Sequence, residues 1–494
     1  MSIASATALS LASLDRLDPE VGLPRYQRAD LSPGIVHFGP GNFHRVHQAV
    51  YLDALMNMGQ ALDWGLIGVS VMRGDEDQRN KLLAQDWLTT VVAQSASEKE
   101  ARVTGPMLDY RPIADSAAIL VALTDPRIRI VSLTVTEGGY FIDTETGGFN
   151  EQDRAIQEDL NHPQHPSTVF GLIVRALAMR RESGHGPFTV MSCDNLPHNG
   201  VIARNAVLGM ARLIDLELAQ WIEQSVSFPS GMVDRIAPAT GDRELQLVRA
   251  EYGIADQAPV YCEDYLQWVL EDNFVAGRPP LEQVGVQFVD DVTPYETMKV
   301  RILNGGHALI AYAAGLLDIE FASDAMTESL IQQFLDKVER EEVLTVVPPV
   351  PDTDLTAYLK LIQTRFANPS IGDTVRRLCL DGSNRQPKFI IPTICDQIAV
   401  DGPVRGLALA SALWCRYCAG TTESGANIEP NDPAWDHLQK VAYECRQRPE
   451  AWLEMRDVYG DLVENQAFKH QFTAAIEALW RDGIRQTLAA YVND

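Results

Sequence analysis

Residues 34–55 set a buried strand, a glycine turn and a helix in immediate succession, and few folds accept that order. Gly34-Ile35-Val36-His37-Phe38-Gly39 is a short apolar run bounded by glycines, as a buried strand requires. Gly39-Pro40-Gly41-Asn42-Phe43 turns the chain tightly, and His44 to Leu55 carries helical spacing. The arrangement points backbone amides and a helix N-terminus at one place, as the phosphate-binding turn of a dinucleotide fold does. Position 44 is His, so the usual third glycine is absent, and an ordinary strand-to-helix turn stays open as the alternative.

The pattern repeats. Trp64 to Val71, Arg129 to Val135 and Phe188 to Cys193 read as further buried strands, with an amphipathic helix over Pro166 to Arg181 and another beginning near Asn199. Strands alternating with helices predict an α/β fold with a parallel sheet. A chain of 494 residues is too long for one core. The boundary is expected near Asp290-Asp291, giving a dinucleotide-binding domain over 1–290. Beyond it nothing reads clearly as a strand. Helical spacing recurs over Ala308 to Leu317, Glu328 to Leu344, Leu355 to Phe366, Ile371 to Cys379, Val404 to Cys418, Pro433 to Glu444 and Asn465 to Ala490. A mostly α-helical second domain over 291–494 follows.

That second domain opens on an unusual helix. Thr293 is expected to cap it, Pro294 suits the first helical position, and Glu296 would complete a capping box. The residues through Ala314 are almost wholly apolar, so Lys299 is buried with them. A buried lysine costs free energy unless it is paired or has a task. On an ideal helix Lys299 and His307 lie about 80° apart, with Asn304 about 60° to the far side of His307. Amine, amide and imidazole then share a face, and Gly305-Gly306 lets a ligand or another backbone approach. A surface lysine beside a satisfied core asparagine and histidine is the plainer reading of each taken alone.

Composition excludes several classes. The net charge is −26 and no basic run is sustained, which disfavours nucleic acid and anionic membranes as partners. No apolar run is long enough to span a membrane. Met1 to Leu17 is small and apolar, has its first positive charge at Arg16, and lacks the basic start of a signal peptide; a frayed or surface-docked leader in a cytoplasmic protein is expected. Seven scattered cysteines argue against a disulfide framework, and Cys415-x-x-Cys418 falls in an apolar run that reads as a core helix. No His/Cys/Asp set has metal-ligand spacing, so no metal is expected.

Polar residues crowd the strand ends, where open α/β sheets bind ligands. Asp75 follows the second strand; it could hold the adenosine ribose hydroxyls and repel a 2′-phosphate, or simply cap the next helix, and Arg73 beside it could instead accept that phosphate. Glu137 lies in Thr136-Glu137-Gly138-Gly139-Tyr140, after the third strand, where a solvated loop residue is also expected. Asn195 lies in Asp194-Asn195-Leu196-Pro197-His198, where it could close an Asx turn or donate an amide N–H to an oxyanion. A basic cluster runs from Arg376 to Phe389.

The spacing Lys299-x4-Asn304-x2-His307 resembles the signature of the polyol-specific long-chain dehydrogenase/reductase family, the mannitol dehydrogenase family, and the likeness covers most of the chain. It implies a Rossmann-like N-terminal domain, a mostly α-helical C-terminal domain and NAD as cofactor. Gly39, Gly41 and Phe43 would form the family's cofactor loop, and Asp75 would take the ribose. Lys299 would be the general base, Asn195 and Asn304 the oxyanion donors, His307 a substrate-orienting group and Glu137 a gate or proton relay. Arg377 and Arg385 would bind substrate hydroxyls. The family usually carries lysine at the position of Arg385, and arginine's planar fork suits a carboxylate. The implied activity is oxidation of a polyol to a ketose, D-mannitol to D-fructose first among them. A uronate reductase acting on fructuronate, a sorbitol or arabitol dehydrogenase, and a cofactor-binding regulator are the alternatives. A monomer or small homo-oligomer is expected.

Overall fold

The computed structural model describes residues 6–143 and 146–494, and the chain divides into two compact units, Met1–Thr293 and Pro294–Asp494.

The first unit is built on a five-stranded parallel sheet. Its strands run in the order Met107–Arg111, Gly65–Val69, Pro33–Phe38, Ile130–Leu133 and Thr189–Ser192. The first strand in sequence is therefore central, and the chain leaves it in both directions, which opens a crevice beyond the strands' carboxyl ends. Pro33–Phe38 registers His37 against Gly68 on one side and Ser132 on the other. Every residue of Gly65–Val69, Ile130–Leu133 and Thr189–Ser192 is buried, as expected for strands covered on both faces. Val36, Phe38, Val131 and Leu133 pack with the helix Val169–Glu182 on one face, and Ile35, Leu66 and Ile130 pack with Tyr51, Leu52 and Leu55 on the other.

Several expectations need correcting here. The helix after the glycine turn is two pieces, Asn42–Val46 and Gln48–Asn57, because His47 leaves helical geometry at φ −116°, ψ −93°. Val169–Glu182 is buried nearly all round rather than amphipathic. The segment between the second and third expected strands holds three strands that no local pattern announced: Thr89–Gln94, Lys99–Thr104 and Met107–Arg111. Lys99–Thr104 alternates charged and apolar residues because it is an edge strand, antiparallel to Thr89–Gln94. Of the N-terminal leader, Thr7–Ala8 pairs with Ile254–Ala255 and Leu9 packs in a small core; Met1 to Ser5 lie outside the described residues.

The second unit is helical, and no named strand occurs among its residues. Leu355–Phe366 and Arg405–Cys418 form where the apolar spacing placed them. Cys415 and Cys418 are buried free thiols in that second helix, and all seven cysteines are free. The long C-terminal helix is interrupted at Gly483, whose φ of 83° no helix tolerates, giving Gln466–Asp482 and Ile484–Val492. Only Val375–Leu378 of the expected 371–379 helix forms. No described helix is long and apolar enough to cross a membrane.

Candidate active site

In the first unit the glycine turn sits at the carboxyl end of the central strand. Gly39 has φ 87°, and a Cβ there would stand 2.1 Å from the Thr134 carbonyl oxygen, so only glycine fits. Gly41 caps the Asn42–Val46 helix and donates its N–H to the Gly39 oxygen at 2.6 Å. The nearest atom to a Cβ on Gly41 is 3.8 Å away, which leaves its side open to a ligand. Arg45, buried, laces the turn together: Nε reaches the Gly41 oxygen at 3.3 Å and Nη2 reaches Asn42 Oδ1 at 2.8 Å. Gln78 Nε2 holds the Pro40 oxygen at 2.8 Å.

His44 stands where a third glycine would allow close helix–strand packing. Its ring instead stacks on His37, centroids 3.6 Å apart, and fills that space. His37 is bonded at both nitrogens, to Ser132 Oγ at 2.8 Å and Thr134 Oγ1 at 2.9 Å, and burial pushes its pKa down to about 3. Burial likewise holds His44 well below the imidazole range, so the pair packs as two neutral rings. Phe43 lies on His47, centroids 4.9 Å apart.

Asp75 does not cap the helix that follows it. Its Oδ2 accepts the N–H groups of Val71 and Met72, each at 2.9 Å, which closes the turn beyond the second strand. Arg73 beside it is exposed. A bare-backbone turn with an open side at Gly41, and a carboxylate fixed past the neighbouring strand, are what a dinucleotide's pyrophosphate and ribose require.

Asp194, unremarked in the sequence, organises the next two loops. Oδ2 accepts the Val135 N–H at 2.9 Å and the Tyr140 hydroxyl at 2.7 Å, and Oδ1 accepts the Thr136 N–H at 2.9 Å. Thr136 is thereby held at φ 64°, a costly geometry for a β-branched residue. Burial raises the Asp194 pKa, and the charge of Glu137 pushes the same way. Glu137 and Asn195 are both exposed, in the loops that Asp194 ties together. Asn199 anchors the second loop, donating to the Asp194 oxygen at 3.0 Å and the Gly231 oxygen at 2.8 Å.

In the second unit the helix carrying Lys299 differs from the one expected. Asp291 helps close its start: Oδ1 accepts the Thr293 N–H at 2.9 Å. Glu296 is buried. Thr293–Met298 is α-helical, Lys299–Asn304 is a π turn, and Gly305–Leu316 resumes the α-helix. The Gly305 N–H reaches back five residues to the Val300 oxygen. The ideal-helix angles for Lys299, Asn304 and His307 therefore fail. A π turn adds a residue per turn, so residues five apart take up the relation that residues four apart have in an α-helix. Lys299 and Asn304, five apart, are drawn onto one face by this shift.

Lys299 is 6% exposed. Asn304 is half-buried, and its Oδ1 is buried with no hydrogen-bond partner among the described residues. Turned over, that carboxamide would present N–H to a ligand oxygen in the same place. His307 lies flat on Phe366, centroids 4.1 Å apart and planes 19° from parallel. Burial holds His307 well below the imidazole range, and the charges of Arg377, Arg365 and Arg385 push it further down. Neutral, it has one ring nitrogen to donate and one to accept.

Both expected substrate arginines therefore lie near His307, but neither is idle. Arg377 is held by Asp373 through Nε at 2.6 Å and through Nη2. Arg385 Nη1 donates to the Arg377 and Leu378 carbonyl oxygens at 3.3 and 3.2 Å, closing the end of the Val375–Leu378 helix. Arg365 and Phe366 had no local signal, since they lie 58 and 59 positions beyond His307 and only packing brings them to it. No cluster of three metal-ligating side chains occurs among the described residues.

Residues 33–283 match the Rossmann domain of mannitol dehydrogenases, and residues 291–480 match their C-terminal domain. The chain belongs to the mannitol dehydrogenase family. It is 54% identical over 470 residues to a mannitol 2-dehydrogenase of Cereibacter sphaeroides, covering 95% of this chain and 98% of that one. Among solved structures, the Pseudomonas fluorescens mannitol 2-dehydrogenase in ternary complex with NAD and D-mannitol superposes with a TM-score of 0.89 at 42% identity, covering 99% of this chain and all of that one. A D-sorbitol dehydrogenase in substrate-free form superposes with a TM-score of 0.90 at 34% identity, covering 97% of this chain and all of that one.

Proposed function

We propose that this member of the mannitol dehydrogenase family is an NAD-dependent polyol 2-dehydrogenase that interconverts D-mannitol and D-fructose. The likeness to the NAD and D-mannitol complex, at 42% identity across both whole chains, carries the reading. NAD, when bound, supplies the hydride acceptor. Lys299 takes the hydroxyl proton, and the side-chain amides of Asn195 and Asn304 hold the oxygen as negative charge develops on it. Neutral His307 orders a neighbouring hydroxyl, with Arg377 and Arg385 binding the further hydroxyls. Glu137 passes the proton on to water. Gly39, Gly41 and Phe43 seat the cofactor, and Asp75 selects NAD through the ribose.

The commitments of the two arginines favour a neutral substrate over a uronate. A carboxylate calls for an uncommitted guanidinium fork, whereas Asp373 already neutralises Arg377 and Arg385 spends one nitrogen on backbone carbonyls. Following the absorbance of reduced cofactor tests the reading, with mannitol, sorbitol and arabitol each supplied with NAD or NADP, and fructose and fructuronate each supplied with NADH or NADPH. Turnover highest on mannitol with NAD and on fructose with NADH supports it; preference for fructuronate, or no turnover, overturns it. The D-sorbitol dehydrogenase likeness makes sorbitol the second candidate.

A further inference from the structure

Glu339 is completely buried, and neither carboxylate oxygen has a hydrogen-bond partner among the described residues. An apolar side chain would fill the same space at lower cost, so a carboxyl kept there calls for an explanation. It stands at the start of a second π turn, Glu339–Val343, in which the Leu344 N–H reaches the Glu339 oxygen five residues back at 2.8 Å. That turn packs against the Lys299–Asn304 π turn. Gly306, in the α-helix that follows the first turn, lies beside the carboxyl. A Cβ there would lie 3.3 Å from Glu339 Oε1, 3.2 Å from Phe366 Cε2 and 3.5 Å from Leu335 Cδ1. The missing side chain of Gly306 thus leaves a notch bordered by the Glu339 carboxyl and by the ring on which His307 lies.

We propose that Glu339 is a positioning residue for His307: its carboxyl fills the notch at Gly306 and fixes the Phe366 ring that backs the imidazole. Burial keeps the carboxyl neutral, and the negative charge of Asp336 opposes ionisation further. A flat neutral acid presents a thin edge to the Gly306 backbone, and its oxygen suits the positive rim of an aromatic ring. A rounder apolar side chain would hold neither the spacing nor the ring tilt. The proposal rests on His307 ordering the polyol.

The test uses the full-length enzyme with Glu339→Met, Glu339→Gln, Glu339→Ala, Gly306→Ala and the double variant Gly306→Ala with Glu339→Ala. Glu339→Met is expected to raise KM for the polyol about tenfold, as displacement of an orienting group does, while NADH binding followed by fluorescence stays at the wild-type value. Glu339→Gln, flat and neutral like the acid, is expected to restore KM. Gly306→Ala is expected to raise KM as well, and less so when Glu339 is truncated alongside it, because the alanine then has room. If Glu339→Met leaves KM unchanged while raising the melting temperature, the carboxyl is only a packing defect and the proposal is wrong. Additive effects of Gly306→Ala and Glu339→Ala overturn it as well. Absence of wild-type polyol turnover would strike the functional reading itself, a different outcome.

Discussion

Asp373 grips Arg377 along both edges of its carboxylate, Oδ1 meeting Nε at 2.6 Å and Oδ2 meeting Nη2. The aspartate side chain is 9% exposed and the arginine side chain 51%, and the pair's geometry is bidentate. The cation nearest in purpose to a uronate carboxylate is thus already matched. Replacing Asp373 by Asn releases it. The ratio of kcat/KM for fructuronate over fructose is expected to rise in Asp373→Asn, and an unchanged ratio would show that Arg377 does not face the substrate.

Arg385→Lys is expected to keep mannitol activity within about an order of magnitude, since a lysine can still supply a donor to a neutral hydroxyl. The arginine also closes the Val375–Leu378 helix end through two carbonyls, so a small fall in melting temperature accompanies the change. Loss of a strong wild-type preference for fructuronate in this variant would instead reveal a uronate reductase.

Lys299→Ala is expected to lower kcat at least ~10²-fold, the usual scale for a positioned acid or base. NADH binding, measured by fluorescence titration, should persist. Near wild-type turnover in the variant would remove Lys299 from the mechanism.

Asp75→Ala is expected to shift the ratio of kcat/KM for NAD over NADP towards NADP, with exposed Arg73 available to a 2′-phosphate. The change also strips the acceptor from the Val71 and Met72 N–H groups, so thermal stability must be followed alongside. A ratio that does not move would leave Asp75 with only its turn-closing task.

The stability contributed by Glu342 should fall as pH rises from about 4.5 to about 7. Burial raises the Glu342 pKa from 4.5 to about 7, against hydrogen bonds from the Gly406 and Leu407 N–H groups and the Tyr491 hydroxyl. Between those values the folded state holds a proton that the unfolded chain has released, so folding is favoured at the low end and weakens towards pH 7. Glu342 alone contributes a loss of at most about 3 kcal/mol across that window. Burial of Glu339 acts in the same direction. Denaturant unfolding at pH 5 and pH 8 checks this, and Glu342→Gln should flatten the difference.

What could be read from residues alone followed from local rules. The glycine turn after Pro33–Phe38, the helix start at Asn199 and the helix Leu355–Phe366 are legible because glycine conformational freedom and apolar spacing act over a few neighbours. The burial of Lys299 was legible too, from the apolar helix around it. The edge strand Lys99–Thr104 was not, because its charged alternation gains meaning only from the strand beside it. Nor was the role of Asp194, whose three donors come from loops 54 to 59 residues away in sequence.

The decisive tertiary contribution is the pair of π turns. Inserting one residue into a helical turn leaves no mark on composition or periodicity, yet it rotates everything beyond it, so Asn304 and His307 sit at angles no ideal helix supplies. Sequence alone determined which side chains the Lys299–His307 helix carries. Packing on Phe366 decided where the His307 ring is held, because that depends on a contact between residues far apart in the chain.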